Sequence, residues 1–188
     1  MKSLQEVWEN FVEQYTKGDV EKAQAFYLAE VWPRLVAAWK AAPRGEVPKA
    51  PYPVSVHTLG TSPEAAVLAA LAFGSREVHL LHTPDTEKHL SFVAEWTGAQ
   101  VVPHEIDRED PRPLYRAVRF IADKHQDPLA LDMTGGTKVM SAALAAVGFV
   151  LRSGGRPVEV YYVSNDRYEP RVRRPVAGTE RLRRVPPP

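Results

Sequence analysis

Between residues 54 and 163, short apolar runs alternate with helix-length segments, and this alternation limits the possible folds more than any other feature. Val54–Thr58, Val78–Thr83, Ala99–Glu105, Leu129–Asp132 and Val158–Val163 have the length and composition of strands. Helical segments fall between them at about 63–73, 85–97, 113–126 and 137–152, with Gly74, Gly98 and Gly154 where helices end. Strands separated by helices wind into right-handed βαβ units. The expected class is therefore α/β: a mostly parallel sheet flanked by helices. Segment 137–152 is alanine-rich and apolar on nearly every side, so it should pack tightly against that sheet.

The first forty residues follow a different rule. Leu4, Val7, Trp8, Phe11, Val12 and Tyr15 form a helical stripe, Gly18-Asp19 reads as a stop and an N-cap, and a second stripe begins at Val20. Pro33 should kink this helix or start another. Residues 43–53 hold four prolines and read as a stiff linker. The expected organisation is an N-terminal helical hairpin (1–42), a Pro-rich linker (43–53) and an α/β domain with a basic tail (54–188). Within that tail an edge strand is expected through Pro170–Val176.

Composition then removes whole classes of function. Without cysteine there are no disulfides, thiolate metal sites or cysteine nucleophiles. No apolar run reaches the roughly 18–20 residues of a membrane span, and no secretory pattern opens the chain, so a cytoplasmic protein with no membrane partner is expected. The net charge of +1 hides an asymmetry, because residues 164–188 carry seven arginines against three carboxylates. The body is mildly acidic and carries no general coat for nucleic acid. The tail reads as a solvated strand, and direct DNA or RNA binding by it is not expected. No cofactor and no metal are expected either. His79 and His82 point to opposite faces of one strand, and no carboxylate–histidine cluster is apparent. His57 reads as a hydrogen-bonded residue at a strand end.

Two loops remain. In an open parallel sheet, ligands bind beyond the carboxyl ends of strands. After the first strand comes Leu59-Gly60-Thr61-Ser62-Pro63-Glu64, and after the fourth comes Asp132-Met133-Thr134-Gly135-Gly136-Thr137-Lys138. Both run through glycine and hydroxyl residues into a helix N-terminus, where free N–H groups favour anions. Lys138 adds a full charge, and together the loops have the chemistry of a phosphate cradle. Thr61-x-x-Glu64 also fits an ordinary capping box. The second loop is not a Walker A sequence, because its lysine follows the threonine.

These two loops, within residues 54–165, resemble those of the CRISPR-associated Rossmann-fold (CARF) family. The resemblance implies a Rossmann-like sheet and a homodimer that binds a cyclic oligoadenylate of type III CRISPR defence across its two-fold axis. Some members, the ring nucleases, also cleave the ring, and many carry a C-terminal effector domain for which this length leaves no room. A stand-alone ring nuclease is therefore the expectation. An isologous dimer offers each loop twice, which suits the four phosphates of cyclic tetra-adenylate. On that reading Gly60, Thr61, Ser62, Thr134, Gly135, Gly136, Thr137 and Lys138 bind the ligand. Lys138, Ser62 and Thr61 would carry a metal-independent attack of ribose 2′-OH on its own phosphate, leaving linear di-adenylate with a 2′,3′-cyclic phosphate. A sensor that binds the ring intact and signals to a separate partner is the alternative. An unrelated nucleotide-binding α/β regulator is the third.

Overall fold

The computed structural model describes residues 2–18 and 20–187, so the N-cap role expected of Asp19 lies outside the described residues. One six-stranded sheet has the order β3-β2-β1-β4-β5-β8, formed by β1 (Val54–Thr58), β2 (Glu77–His82), β3 (Gln100–Glu105), β4 (Leu129–Asp132), β5 (Val158–Asn165) and β8 (Glu180–Val185). The pairs β1/β2, β2/β3, β1/β4 and β4/β5 are parallel. The expected Rossmann-like, mostly parallel α/β sheet is the one observed.

Two compact units share the chain: residues 46–163 with 182–188, and residues 1–45 with 164–181. In the first, β1 and β4 are buried along their whole length, as strands covered on both faces must be. The connecting helices are α4 (Glu64–Phe73), α5 (Leu90–Thr97), α6 (Pro111–Lys124) and α7 (Lys138–Ser153). Val56, Leu81, Val118, Ile121, Leu131, Leu144 and Val160 belong to one apolar core between α6, α7 and the sheet. Gly148 explains how α7 approaches so closely: a Cβ there would lie 2.8 Å from both the Leu131 and the Val160 side chains.

In the second unit, α1 (Leu4–Thr16) packs against a helix that runs as α2 (Val20–Phe26), a wide π turn (Tyr27–Val31) and α3 (Trp32–Ala41). Ser3 and Glu6 close a capping box at the start of α1. Of the two outcomes expected of Pro33, the start of a further helix is the one observed. Pro33 sits in the first turn of α3, directly after the π turn, where its missing N–H costs least. Phe11 gathers Trp8, Tyr15 and Tyr27 at ring distances of 5.2–6.0 Å, and the Arg174 guanidinium lies 4.4 Å from the Tyr27 ring centre.

The edge strand expected through Pro170–Val176 does not form. Tyr168–Glu169 (β6) and Arg174–Pro175 (β7) make a small antiparallel pair around a turn, and the sheet edge is taken by Glu180–Val185. The reason is proline. A strand through 170–176 would contain two residues without an N–H, whereas Glu180-Arg-Leu-Arg-Arg-Val185 contains none and alternates buried with half-buried positions over its first four residues. Among the described residues no helix is long and apolar enough to cross a membrane.

Candidate functional site

Strand order reverses between β1 and β4: the chain steps outward from β1 to β2 and β3, then returns to the other side of β1 with β4. At such a reversal, ligands of open α/β sheets bind beyond the carboxyl ends of the two central strands. The loops that follow those strands are 59–63 and 133–137. The parallel register Val54↔Leu129 through His57↔Asp132 brings both to the same end of the sheet.

They meet backbone to backbone. A Cβ on Gly135 would lie 2.2 Å from the Thr58 carbonyl oxygen and 2.8 Å from the Gly60 nitrogen, and one on Gly60 would lie 2.7 Å from the Gly136 nitrogen. Gly136 also has φ +76, a left-handed conformation that side chains disfavour. The glycines therefore let two loops touch, a use that the sequence did not reveal. Thr58 closes the joint by donating its hydroxyl to the Gly135 carbonyl at 2.7 Å.

A buried polar chain supports the second loop from below. Ser55 Oγ lies 2.7 Å from His57 Nε2, and His57 Nδ1 lies 3.1 Å from Asp132 Oδ2. All three residues are completely buried, so His57 is the hydrogen-bonded histidine expected rather than a pocket residue. The order Ser–His–Asp resembles a hydrolase triad in connectivity only, because no substrate reaches a hydroxyl at zero exposure. Asp132 Oδ1 accepts from both the backbone N–H (3.1 Å) and the hydroxyl of Thr134. The Thr134 hydroxyl in turn accepts from the Val163 N–H at 2.7 Å.

The eight residues singled out by sequence thus divide into three groups. Thr134 and Thr137 have committed hydroxyls: Thr137 caps α7 by accepting from the Met140 N–H and donates to the Arg108 carbonyl. Gly60, Gly135 and Gly136 form the joint. Thr61, Ser62 and Lys138 are exposed, and their side chains form no hydrogen bond or ion pair among the described residues. The capping-box reading of the first loop does not hold. Pro63 occupies the N-cap of α4 without any side-chain cap bond, which leaves the Thr61 and Ser62 hydroxyls available.

Lys138 stands at the first position of a 16-residue helix, where a cation opposes the helix dipole. Such a placement costs stability, and a bound anion would offset that cost. Beside it, past Arg108, lies a cleft of about 480 Å³ at the ends of β2 and β3, lined by Asp85, Glu105, Asp107 and Arg108. Its three carboxylates would repel phosphate, so the anion-compatible ground is the β1/β4 joint. On the outer side of the same unit, Phe120 of α6 and Val139 and Val150 of α7 are exposed, and a groove of about 500 Å³ between the helices is lined by Arg112, Arg116 and Arg119.

Sequence reasoning missed one cluster. Glu77, His79 and His125 converge below β2, with three potential ligand atoms within 4.8 Å of one another. The expectation of no metal rested on there being no such carboxylate–histidine group, and that ground is removed. Burial and the neighbouring His104 push the His79 imidazole down to about 4. The two residues on β2 are an i, i+2 pair and the third lies far along the chain, so the only usable signal was the strand's period of two.

No family model matches the chain. It is 44% identical, over 189 residues, to a Thermus thermophilus protein named CRISPR system endoribonuclease Csm6, an alignment that covers 100% of this chain and 40% of that protein. The chain thus spans less than half of that relative's length. Two solved structures share the fold. Can2 from Sulfobacillus thermosulfidooxidans, in complex with cyclic tetra-adenylate, matches with a TM-score of 0.52 and 20% identity over 60% of this chain and 32% of that one. Enterococcus italicus Csm6, bound to cyclic hexa-2′-fluoro-hexa-dAMP, matches with a TM-score of 0.51 and 13% identity over 60% and 33%.

Proposed function

Because the chain belongs to the CRISPR-associated Rossmann-fold (CARF) family, we propose that it binds a cyclic oligoadenylate, with cyclic tetra-adenylate as the ring, at a homodimer interface built around the β1/β4 joint. The observation that carries this reading is the joint itself. Two loops rich in small and hydroxyl residues touch at the strand-order reversal, with Lys138, Thr61 and Ser62 exposed and uncommitted. The cyclic adenylate rings bound by the two structural neighbours support the ligand class. Exposed Val139 and Val150 on α7 and Phe120 on α6 supply an apolar surface for a second copy, and α7 begins at Lys138. A two-fold axis near its start would set two ammonium groups against one ring of four phosphates.

Such an arrangement also fits cleavage. A ribose 2′-OH held in line attacks the adjacent phosphorus, forming the O2′–P bond and breaking the P–O5′ bond, and the 2′-OH proton passes through water to the expelled 5′-oxygen of the next nucleotide. Two such cuts give linear di-adenylate with 2′,3′-cyclic phosphate ends. The protein supplies alignment and charge stabilisation. Lys138 faces the developing negative charge, while Thr61 and Ser62 orient ribose and phosphate. Thr134 and Thr137 act indirectly by fixing the loop, and Gly135 and Gly136 contribute backbone N–H groups. The alternative is a sensor that binds the ring intact. Incubation with labelled ring in the presence of chelator separates the two, because linear products require the enzyme.

Lys138→Ala provides the sharpest test. Loss of a charge-assisted contact worth about 1.5–3 kcal/mol weakens ring binding by at least about 10-fold. Removing a cation from a helix N-terminus leaves the melting temperature unchanged or slightly raised. Undiminished calorimetric binding by this variant removes the site from the β1/β4 joint.

A further inference from the structure

We propose that Glu77, His79 and His125 form a binding site for a divalent first-row transition-metal ion, Zn(II) being the best match, at the end of the sheet opposite the loops. Glu77 and His79 alternate onto the same face of β2, and His125 is the residue that ends α6 above that face. His79 Nε2 lies 2.8 Å and His125 Nε2 3.3 Å from the same Glu77 Oε1. Parallel register puts Glu77 level with Val54, about 20 Å along the sheet from Gly60. The site is thus separate from the loop joint.

A glutamate paired with two imidazoles is the ordinary explanation, and it leaves the three atoms incompletely satisfied. Glu77 Oε1, His79 Nε2 and His125 Nε2 are all shielded from solvent, and none forms a hydrogen bond despite the short separations. Three shielded polar atoms held this close without well-directed hydrogen bonds are costly unless something else satisfies them. An ion does so. Bonds of about 2.0–2.1 Å to imidazole nitrogen and carboxylate oxygen place tetrahedral ligands roughly 3.3 Å apart; the His125–Glu77 separation of 3.3 Å matches that value and the His79–Glu77 separation of 2.8 Å is shorter.

Support from outside the three ligands points the same way. His79 is 3% exposed in its side chain, and its Nδ1 lies 2.8 Å from His104 Nε2. When Nδ1–H donates across that contact, the tautomer leaves a lone pair on Nε2, the usual outer-contact arrangement for a metal-bound histidine. Two imidazoles with one carboxylate suit Zn(II), Fe(II), Co(II) or Ni(II) and disfavour Mg(II) and Ca(II). The Glu77 and His125 side chains keep 23% and 15% exposure, which leaves a route for the ion and a place for a fourth, water ligand. The ion would pin the start of β2 to the end of α6.

The test uses the full, tag-free chain stripped with chelator and titrated with Zn(II) and with Co(II). Wild-type protein binds about one equivalent of Zn(II), gives the visible absorption of four-coordinate Co(II), and melts at a higher temperature with Zn(II) than with chelator. Glu77→Gln and His125→Gln, both at partly exposed positions, weaken binding at least about 10-fold and abolish the thermal shift. Ser62→Ala, at the far end, retains both. Absence of stoichiometric binding, or equal affinity in folded Glu77→Gln and His125→Gln, overturns the assignment. If both variants unfold, a wild-type Co(II) spectrum without four-coordinate bands overturns it as well. Ring binding unaffected by chelator shows that this site and the loop joint stand or fall separately.

Discussion

Replacing Gly135 by alanine puts one methyl group into the joint on which the ligand reading depends. The new Cβ would lie 2.2 Å from the Thr58 carbonyl oxygen and 2.8 Å from the Gly60 nitrogen, both backbone atoms that no rotamer change can move. Relief requires the two loops to part by roughly 1 Å, a backbone shift of the kind that costs about 1–3 kcal/mol in a close-packed region. Parting also stretches the 2.7 Å bond from the Thr58 hydroxyl to the Gly135 carbonyl, a loss of about 1 kcal/mol. A combined loss of about 2–4 kcal/mol in a chain of this length lowers the melting temperature by roughly 5–15 °C. Calorimetric titration with cyclic tetra-adenylate on the folded variant should also show weakened binding, because Ser62 and Lys138 no longer hold their spacing. Gly136→Ala is the internal comparison. There the added carbon meets the flexible Met140 side chain, so the penalty is chiefly the conformational cost of φ +76, about 1–2 kcal/mol. A Gly135→Ala protein that melts and binds like the wild type, or is milder than Gly136→Ala, refutes the argument that the loops are wedged together by their backbones.

Two further outcomes follow from the buried polar groups. Thr134→Val strands the Asp132 carboxylate and the Val163 N–H, which costs about 2–4 kcal/mol by thermal or urea denaturation, whereas Thr134→Ser stays near wild type; equal behaviour of the two would return the Thr134 hydroxyl to the ligand. Burial raises the Glu180 carboxyl above its usual value, so stability from this group is complete below about pH 4.5 and is lost as pH rises through the folded-state value. Glu180→Gln should flatten that part of the denaturation midpoint against pH profile, and an unchanged slope in the variant would show that Glu180 does not titrate with folding.

What the sequence revealed and what it hid follow from the range of the interactions. Val54–Thr58 and Leu129–Asp132 are readable to the residue, because each is a short β-compatible run bounded by proline or glycine turns. That the loops behind them lie side by side depends on β4 pairing with β1, a strand order that the winding rule alone does not give. Nor does it give the committed state of each hydroxyl. Thr134 is held by Asp132 and Val163, and Thr137 by Arg108, partners that only tertiary packing supplies. Thr61 looked like a cap because spacing alone cannot show that Pro63 takes the N-cap position. The Glu77–His79–His125 group is invisible in the sequence because its third member is 46 positions from the second and arrives from the end of α6, a contact that only tertiary packing supplies.

The wide turn at Tyr27–Val31 has a consequence for the helix that contains it. Ala23, Tyr27, Val31, Leu35 and Trp39 are all buried and recur at every fourth position. In an unbroken α-helix such a series precesses by about 40° per step, so its two ends would face nearly opposite directions. A stretch with i→i+5 bonding takes more than four residues to complete a revolution, and so winds back part of that drift midway. The irregularity acts as a phase corrector, keeping a ladder of fours aimed inward where a uniform coil would have turned its lower rungs to water.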